Sequence, residues 1–202
     1  INVRVLGNEG SGATSDVVEA IDWCIANRTK FNIRVMNISL GHLPVETPEN
    51  DPLVRAVNRA VAANIVVVAS AGNFGKLPDG TPVANAVVSP GSASAAITVG
   101  AVNTRGTAKR SDDVMSTWSS RGPVGLPMSP AGWLVKPDLV APGNAIISAA
   151  QPGSYLWNLL PDDRHVNGLG GGYLKLSGTS MATPMVTGAV ALMLQGQPNL
   201  KA

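Results

Sequence analysis

Gly178-Thr179-Ser180-Met181-Ala182-Thr183-Pro184 leads into a run of small residues that includes Val186, Thr187, Gly188, Ala189, Val190 and Ala191. A serine among small residues at the opening of a helix is one way to expose a hydroxyl as a nucleophile. The helix N-terminus adds unpaired backbone N–H groups and the positive end of a dipole, both suited to developing negative charge. Gly178 allows close backbone approach. Pro184 is tolerated because the first turn has no intrahelical donor to lose. The same pattern also suits a serine N-cap on a buried, Ala-rich helix, so local chemistry leaves both readings standing.

The rest of the chain sets the frame for that helix. A length of 202 residues suffices for one domain with a sizeable core. Hydrophobic residues make up 45% and charged residues 14%, which excludes a disordered chain and suits a compact α/β protein. A net charge of +2 points to neither nucleic acid nor an anionic membrane surface as partner. No stretch reads as a membrane span. The single cysteine, Cys24, rules out an intrachain disulfide. It falls within a predicted helix and reads as a packed small hydrophobe, not a reactive thiol.

Periodicity predicts the elements. Residues 3–6 read as a short strand and 7–12 as a Gly-rich loop. Thr14 or Ser15 is the expected N-cap of a helix over 16–28, with Val17, Ala20, Ile21 and Cys24 at helical spacing. Residues 33–38 read as a strand. Asp51 and Pro52 open a helix to residue 63, with Leu53, Ala56, Val57, Ala60 and Val61 on one face and Asn64 as its stop. The continuous apolar run 65–69 is the pattern of a parallel strand buried on both faces. Residues 95–102 and 145–149 read as further strands, and 180–195 as the last helix. Strands alternating with helices argue for a parallel α/β sheet with right-handed crossovers. Residues 75–86, 104–116 and 152–172 read as loops. In the last of these, Gly168, Gly170, Gly171 and Gly172 read as a flexible segment, either a flap over Ser180 or a surface insertion.

Several ordered motifs carry a more specific resemblance. The stretch 178–184 resembles the nucleophile motif of the subtilisin-like serine proteases, the subtilases. Residues 3–16 resemble the strand and loop that follow the family's catalytic-histidine helix. Asn37-Ile38-Ser39-Leu40-Gly41 is similar to its substrate-binding strand, and Ala69-Ser70-Ala71-Gly72-Asn73 to its oxyanion-hole segment. Residues 97–102, Ser119-Ser120-Arg121-Gly122-Pro123 and 136–143 resemble further landmarks. The resemblance implies a subtilisin-like three-layer αβα fold with a mostly parallel sheet. An α/β-hydrolase nucleophile elbow is excluded, because Gly-x-Ser-x-Gly is absent around Ser180.

The resemblance also implies roles. Ser180 is the expected nucleophile, which needs a base to take its proton. Asn73 is the expected side-chain donor to the oxyanion, beside the Ser180 backbone N–H; read locally, it is an Asn after Gly in a turn. Thr179 supports the same site by packing or hydrogen bonding. Ser39, Leu40, Gly41, Ala71 and Gly72 resemble the substrate walls, against which an extended peptide adds as a strand; ordinary strand-end packing is the alternative. A polypeptide substrate follows, cleaved by an endopeptidase in unfolded or loop segments, with an apolar residue preferred before the scissile bond.

The family's triad runs Asp, His, Ser along the chain. No Asp-Thr-Gly-type or His-Gly-Thr-His-type motif occurs here. Neither His42 nor His165 matches the catalytic histidine, and Asp22, Asp112, Asp113 and Asp138 do not match the catalytic aspartate; Asp138 reads as a structural turn acid. Residues 1–202 are therefore expected to be a partial peptidase domain, lacking the N-terminal strands that carry Asp and His. Such a chain is expected to be inactive alone and to require a complementary N-terminal segment. The alternative is a non-catalytic interaction module that forms a homodimer or exchanges strands. No cofactor is expected for catalysis. Structural calcium, frequent in the family, stays open because no ligand-spaced acidic loop is evident. Family habit places the parent protein outside the cell, with intracellular members as the alternative.

Overall fold

A computed structural model describes residues 1–125, 132–166 and 171–202. In chain order the helices and strands are α1 (Thr14–Ala26), α2 (Arg28–Phe31), β1 (Val35–Ile38), α3 (Pro52–Ala62), β2 (Val66–Ser70), β3 (Ile97–Asn103), β4 (Val114–Met115), β5 (Leu139–Pro142), β6 (Ile146–Ala149), α4 (Tyr155–Leu159), β7 (Arg164–Val166), β8 (Gly172–Leu176) and α5 (Thr179–Gly196).

The main sheet is parallel through β1, β2, β3 and β5. Val35 stands beside Val66, Val68 beside Ile97, and Val99 beside Leu139. Among the described residues of this sheet only the two-residue β4 runs antiparallel, at the far end of β3. Side chains of β2 alternate between faces, as the strand period requires. Val67 and Ala69 join Val17, Ile21, Leu53, Val57 and Ala60 in a core beneath α1 and α3. Val68 points the other way and packs with Val99, Ala101, Ala141 and Ala182, against Val186 and Val190 of α5. The result is three layers: two helices, a sheet, and α5. The apolar run through β2 is buried because both faces are covered.

Helix α3 begins where the sequence predicts. Asp51 Oδ1 accepts from the backbone N–H groups of Leu53 and Val54 at 2.8 and 3.2 Å, with Pro52 in the first helical position. Asn64, with φ of 61°, turns the chain out of the helix and into β2.

Other expectations fail. Residues 3–6 form no strand. A strand needs a ladder partner, and among the described residues β1 pairs only with β2. The α1 N-cap is Ala13, without a side-chain cap. Thr14 and Ser15 lie inside the helix, and the Ser15 hydroxyl turns to the Asp16 carboxylate. The predicted helix over 16–28 breaks at Asn27, followed by the single turn α2 and then Asn32 at φ of 51°. The expected loop 104–116 contains β4. The expected loop 152–172 contains α4, capped by Ser154, and β7, which pairs antiparallel with β8 in a second sheet ordered β6-β8-β7. Gly172 opens β8 and is buried there. Gly168 and Gly170 lie outside the described residues. These strands are too short for a period to register, so only their pairing defines them.

Candidate active site

Helix α5 starts directly over the C-terminal ends of β1 and β2. Ser180 is its second residue and is half-buried. Its Oγ donates to the Ser39 carbonyl oxygen, just past the end of β1, at 2.9 Å. Thr179 is buried and makes three hydrogen bonds to Gly72 and Asn73. Its hydroxyl accepts from the Gly72 N–H at 3.1 Å and donates to Asn73 Oδ1 at 3.1 Å, while its backbone N–H donates to the same oxygen at 3.0 Å. Both interactions hold the carbonyl side of the Asn73 amide. That fixes the amide's orientation and leaves its NH₂ group facing away from the anchor. A Cβ placed on Gly178 would lie 3.4 Å from Asn73 Nδ2, so the amide nitrogen stands beside the start of α5. An N–H donor, an amide donor and a hydroxyl thus converge at one helix N-terminus, an arrangement suited to a tetrahedral oxyanion.

The supports come from distant segments. Gly72 has φ of 103°, a conformation that favours glycine, and carries the chain from β2 into Asn73. The Ser120 hydroxyl accepts from the Phe74 N–H at 3.0 Å, and the Ser120 N–H donates to the Gly72 carbonyl at 2.9 Å, so that turn is clamped from outside. Asn37 on β1 accepts from the Thr187 hydroxyl and donates to Ser39 Oγ, both at 2.9 Å, which couples the next turns of α5 to the residue bonded by Ser180. Ser120 and Asn37 belong to motifs visible in the sequence, but nothing local assigns them these contacts.

Ser39, Leu40 and Gly41 line one side of a cavity of about 460 Å³ that ends at Gly72, Asn73, Thr179 and Ser180. Gly10, Ser11 and Gly12 line the same cavity. In the sequence they form a Gly-rich loop within the stretch that resembles the family's strand and loop after its catalytic-histidine helix, with no role at the site expected of them. Ala71 is buried, bonded to Val99 on one side and Val88 on the other, and does not line the cavity. Two larger grooves, about 660 and 680 Å³, lie against β1 and against α5 and are mainly apolar; neither includes Ser180.

No base reaches Ser180 from within the described residues. The His42 ring is in the cleft, but Nδ1 lies 2.9 Å from the Leu43 carbonyl oxygen and Nε2 is buried without a partner. His165 is exposed on β7. Asp22 pairs with Arg59, joining α1 to α3; Asp112 accepts from Thr107 and Asp113 pairs with Arg110. Asp138 accepts from the Thr98 N–H at 2.7 Å and from buried Lys136 at 2.6 Å, a structural position in the sheet. Burial raises the pKa of the Cys24 thiol, which keeps it protonated and unreactive. Among the described residues no group of three or more His, Cys, Asp or Glu is placed to hold a metal ion, and no helix is long and apolar enough to cross a membrane.

Comparison with known proteins agrees with this geometry. The model of the subtilase family matches residues 1–202. The serine protease AprX of Bacillus subtilis (strain 168) is 40% identical over 99% of this chain and 43% of its own length. An extracellular serine proteinase of Thermus sp. (strain Rt41A) is 35% identical over 97% of this chain and 36% of its own. Among solved structures, the S41 psychrophilic protease superposes with a TM-score of 0.70 at 28% identity, over 98% of this chain and 54% of that one. The chain thus spans less than half the length of these two curated relatives.

Proposed function

The chain belongs to the subtilase family, and from that membership we propose that it is the nucleophile-bearing part of a serine endopeptidase. The observation that carries the reading is the network at the start of α5, where Thr179 locks Asn73 with its NH₂ group free beside the Ser180 backbone. In this reading Ser180 Oγ leaves the Ser39 carbonyl and attacks the scissile carbonyl carbon of a bound polypeptide. Its proton passes to a histidine. The carbonyl oxygen, now an oxyanion, is held by the Ser180 N–H and Asn73 Nδ2. Collapse of the intermediate expels the amine and leaves an acyl-Ser180, which water then hydrolyses.

The histidine and its orienting aspartate come from a complementary segment outside these 202 residues. Supporting this, neither His42 nor His165 makes a hydrogen bond to Ser180. The substrate lies extended between Gly10–Gly12 and Ser39–Gly41, hydrogen-bonding through its backbone. No cofactor takes part in the chemistry. One relative is by name an extracellular proteinase, which supports an extracellular setting here too.

The test is labelling by a fluorophosphonate. Full-length protein containing the remainder of the peptidase domain is expected to be labelled at Ser180, and Ser180→Ala is expected to abolish the label. Residues 1–202 alone are expected to be labelled far more slowly. Rapid labelling of the 202-residue chain by itself, or labelling elsewhere, defeats the reading.

One observation favours a second reading, a self-associating module. Among the described residues strand β1 is paired on one edge only, and Met185, Leu192 and Met193 expose 45%, 70% and 60% of their surface on α5. That reading expects a dimer at micromolar concentration by analytical ultracentrifugation; a monomer at all concentrations removes it.

A further inference from the structure

The turn that carries Asn73 is held by one short segment of the chain. The Ser120 N–H donates to the Gly72 carbonyl at 2.9 Å, Ser120 Oγ accepts from the Phe74 N–H at 3.0 Å, and the Trp118 carbonyl accepts from the Gly75 N–H at 2.9 Å. These bonds grip the backbone on both sides of Asn73. The segment is itself fastened to the main sheet, where Ser119 Oγ accepts from the Ala101 N–H of β3 at 3.0 Å. Two neighbouring hydroxyls thus face different ways, one towards β3 and one towards the turn. Ser120 is 1% exposed, and a Cβ on Gly72 would lie 2.9 Å from its Oγ, so the hydroxyl sits directly against the turn.

We propose that Ser120 is a positioning residue for Asn73, acting through the two peptide groups that flank it and making no contact with substrate. The proposal rests on the reading of Ser180 as nucleophile and Asn73 Nδ2 as oxyanion donor. Two attachments decide where that nitrogen lies. Thr179 holds the tip of the side chain at Oδ1, and the turn holds its backbone. With only the tip fixed, a shift of the turn pivots the amide about Oδ1 and carries Nδ2 relative to the Ser180 N–H. Side-chain packing does little to prevent this, because Gly72 has no side chain and Phe74 is half-exposed. Hydrogen bonds to the turn therefore do the holding. A donor acts on an oxyanion at about 2.7–3.1 Å, and its supports have to keep it within about 0.5 Å of that geometry. Removing the Ser120 hydroxyl frees the Phe74 N–H and releases one side of the turn.

The experiment compares wild type, Ser120→Ala, Asn73→Ala and the double variant in the full-length protein on one peptide substrate. The kcat is expressed per Ser180 that reacts with a fluorophosphonate, so unfolded molecules are not counted. Ser120→Ala is expected to lower kcat by about tenfold with little change in KM, short of the roughly 10²-fold that a 1 Å misplacement costs. In the Asn73→Ala background the same substitution is expected to change kcat by less than about twofold, because the donor it positions is gone. Ser120→Cys keeps the shape of the side chain with a weaker acceptor and is expected to fall between serine and alanine; it serves in the same cycle if the alanine variant does not fold. A purely structural role gives the same loss in both backgrounds. Equal losses, an unchanged kcat in Ser120→Ala, or a change confined to KM overturns the proposal. Wild-type kcat in Asn73→Ala overturns the reading of Asn73 instead, and failure of wild-type Ser180 to react overturns the nucleophile assignment.

Discussion

At Asn73 the two ends of one amide are separated in purpose. Oδ1 accepts from two donors of Thr179, and the NH₂, not engaged by Thr179, is the group proposed above to meet the oxyanion. An isosteric carboxylate cannot do the same, since it has no donor. Asn73→Ala in the complete peptidase domain is therefore expected to lower kcat by about 10²–10³, the magnitude measured for the oxyanion-hole asparagine of a subtilisin, with a smaller change in KM. Steady-state kinetics on a peptide substrate checks this. Equal losses in a substrate-binding assay and in kcat/KM, with kcat unchanged, would place Asn73 in binding instead.

Among the elements, α3 and β5 are each fastened by one side chain. Asp51 is 3% exposed and satisfies two of the orphan N–H groups at the start of α3. Asp51→Ala is expected to cost about 1 kcal/mol, up to about 2 for a buried cap, read as a lower urea midpoint at constant m. Lys136 precedes β5 with its side chain 1% exposed, donating to the Ala96 carbonyl at 2.7 Å and to Asp138 at 2.6 Å. Asp138 in turn holds the Thr98 N–H, so one carboxylate joins the approach to β5 to β3. Its side chain reaches solvent, which moderates the pair. Lys136→Ala is expected to lose about 1.5–3 kcal/mol, the range for hydrogen bonds to charged groups. A thermal midpoint equal to wild type would show that the lysine is dispensable.

Across the whole molecule, the final residues are tied to the beginning of the sheet. Arg34 Nη2 donates to the carbonyls of Pro198 and Leu200 at 2.9 and 3.0 Å, and the Ala202 N–H donates to Asn64 Oδ1 at 2.9 Å. These bonds hold the segment after α5 against the end of the sheet opposite the cleft. Arg34→Ala is expected to release residues 198–202, seen as faster hydrogen exchange there with Ser180 and the cleft unaffected. Slower or unchanged exchange would show that packing alone holds the segment. The exposed side chains on α5 and the half-paired β1 lie on the molecule's other surfaces, and their cover decides between the two functional readings.

The parts legible in the sequence are those governed by neighbours a few residues away. The cap at Asp51, the stop at Asn64, the doubly buried run through β2 and the glycine-led start of α5 all follow from local sterics, hydrogen-bond demand and period. Motif order also identified the family and drew attention to Ser180 and Asn73. Tertiary structure alone decided the rest, because contact between distant segments leaves no period in either one. Thr179 reaches Asn73 across 106 positions and Ser180 reaches Ser39 across 141. Residues 3–6 look like a strand yet have no ladder, while β4 and β7 look like loop yet gain one. Gly41 and Gly72 resemble substrate walls in the sequence, but that Val88 packs against both is decided by the tertiary structure, since no local pattern connects it to either.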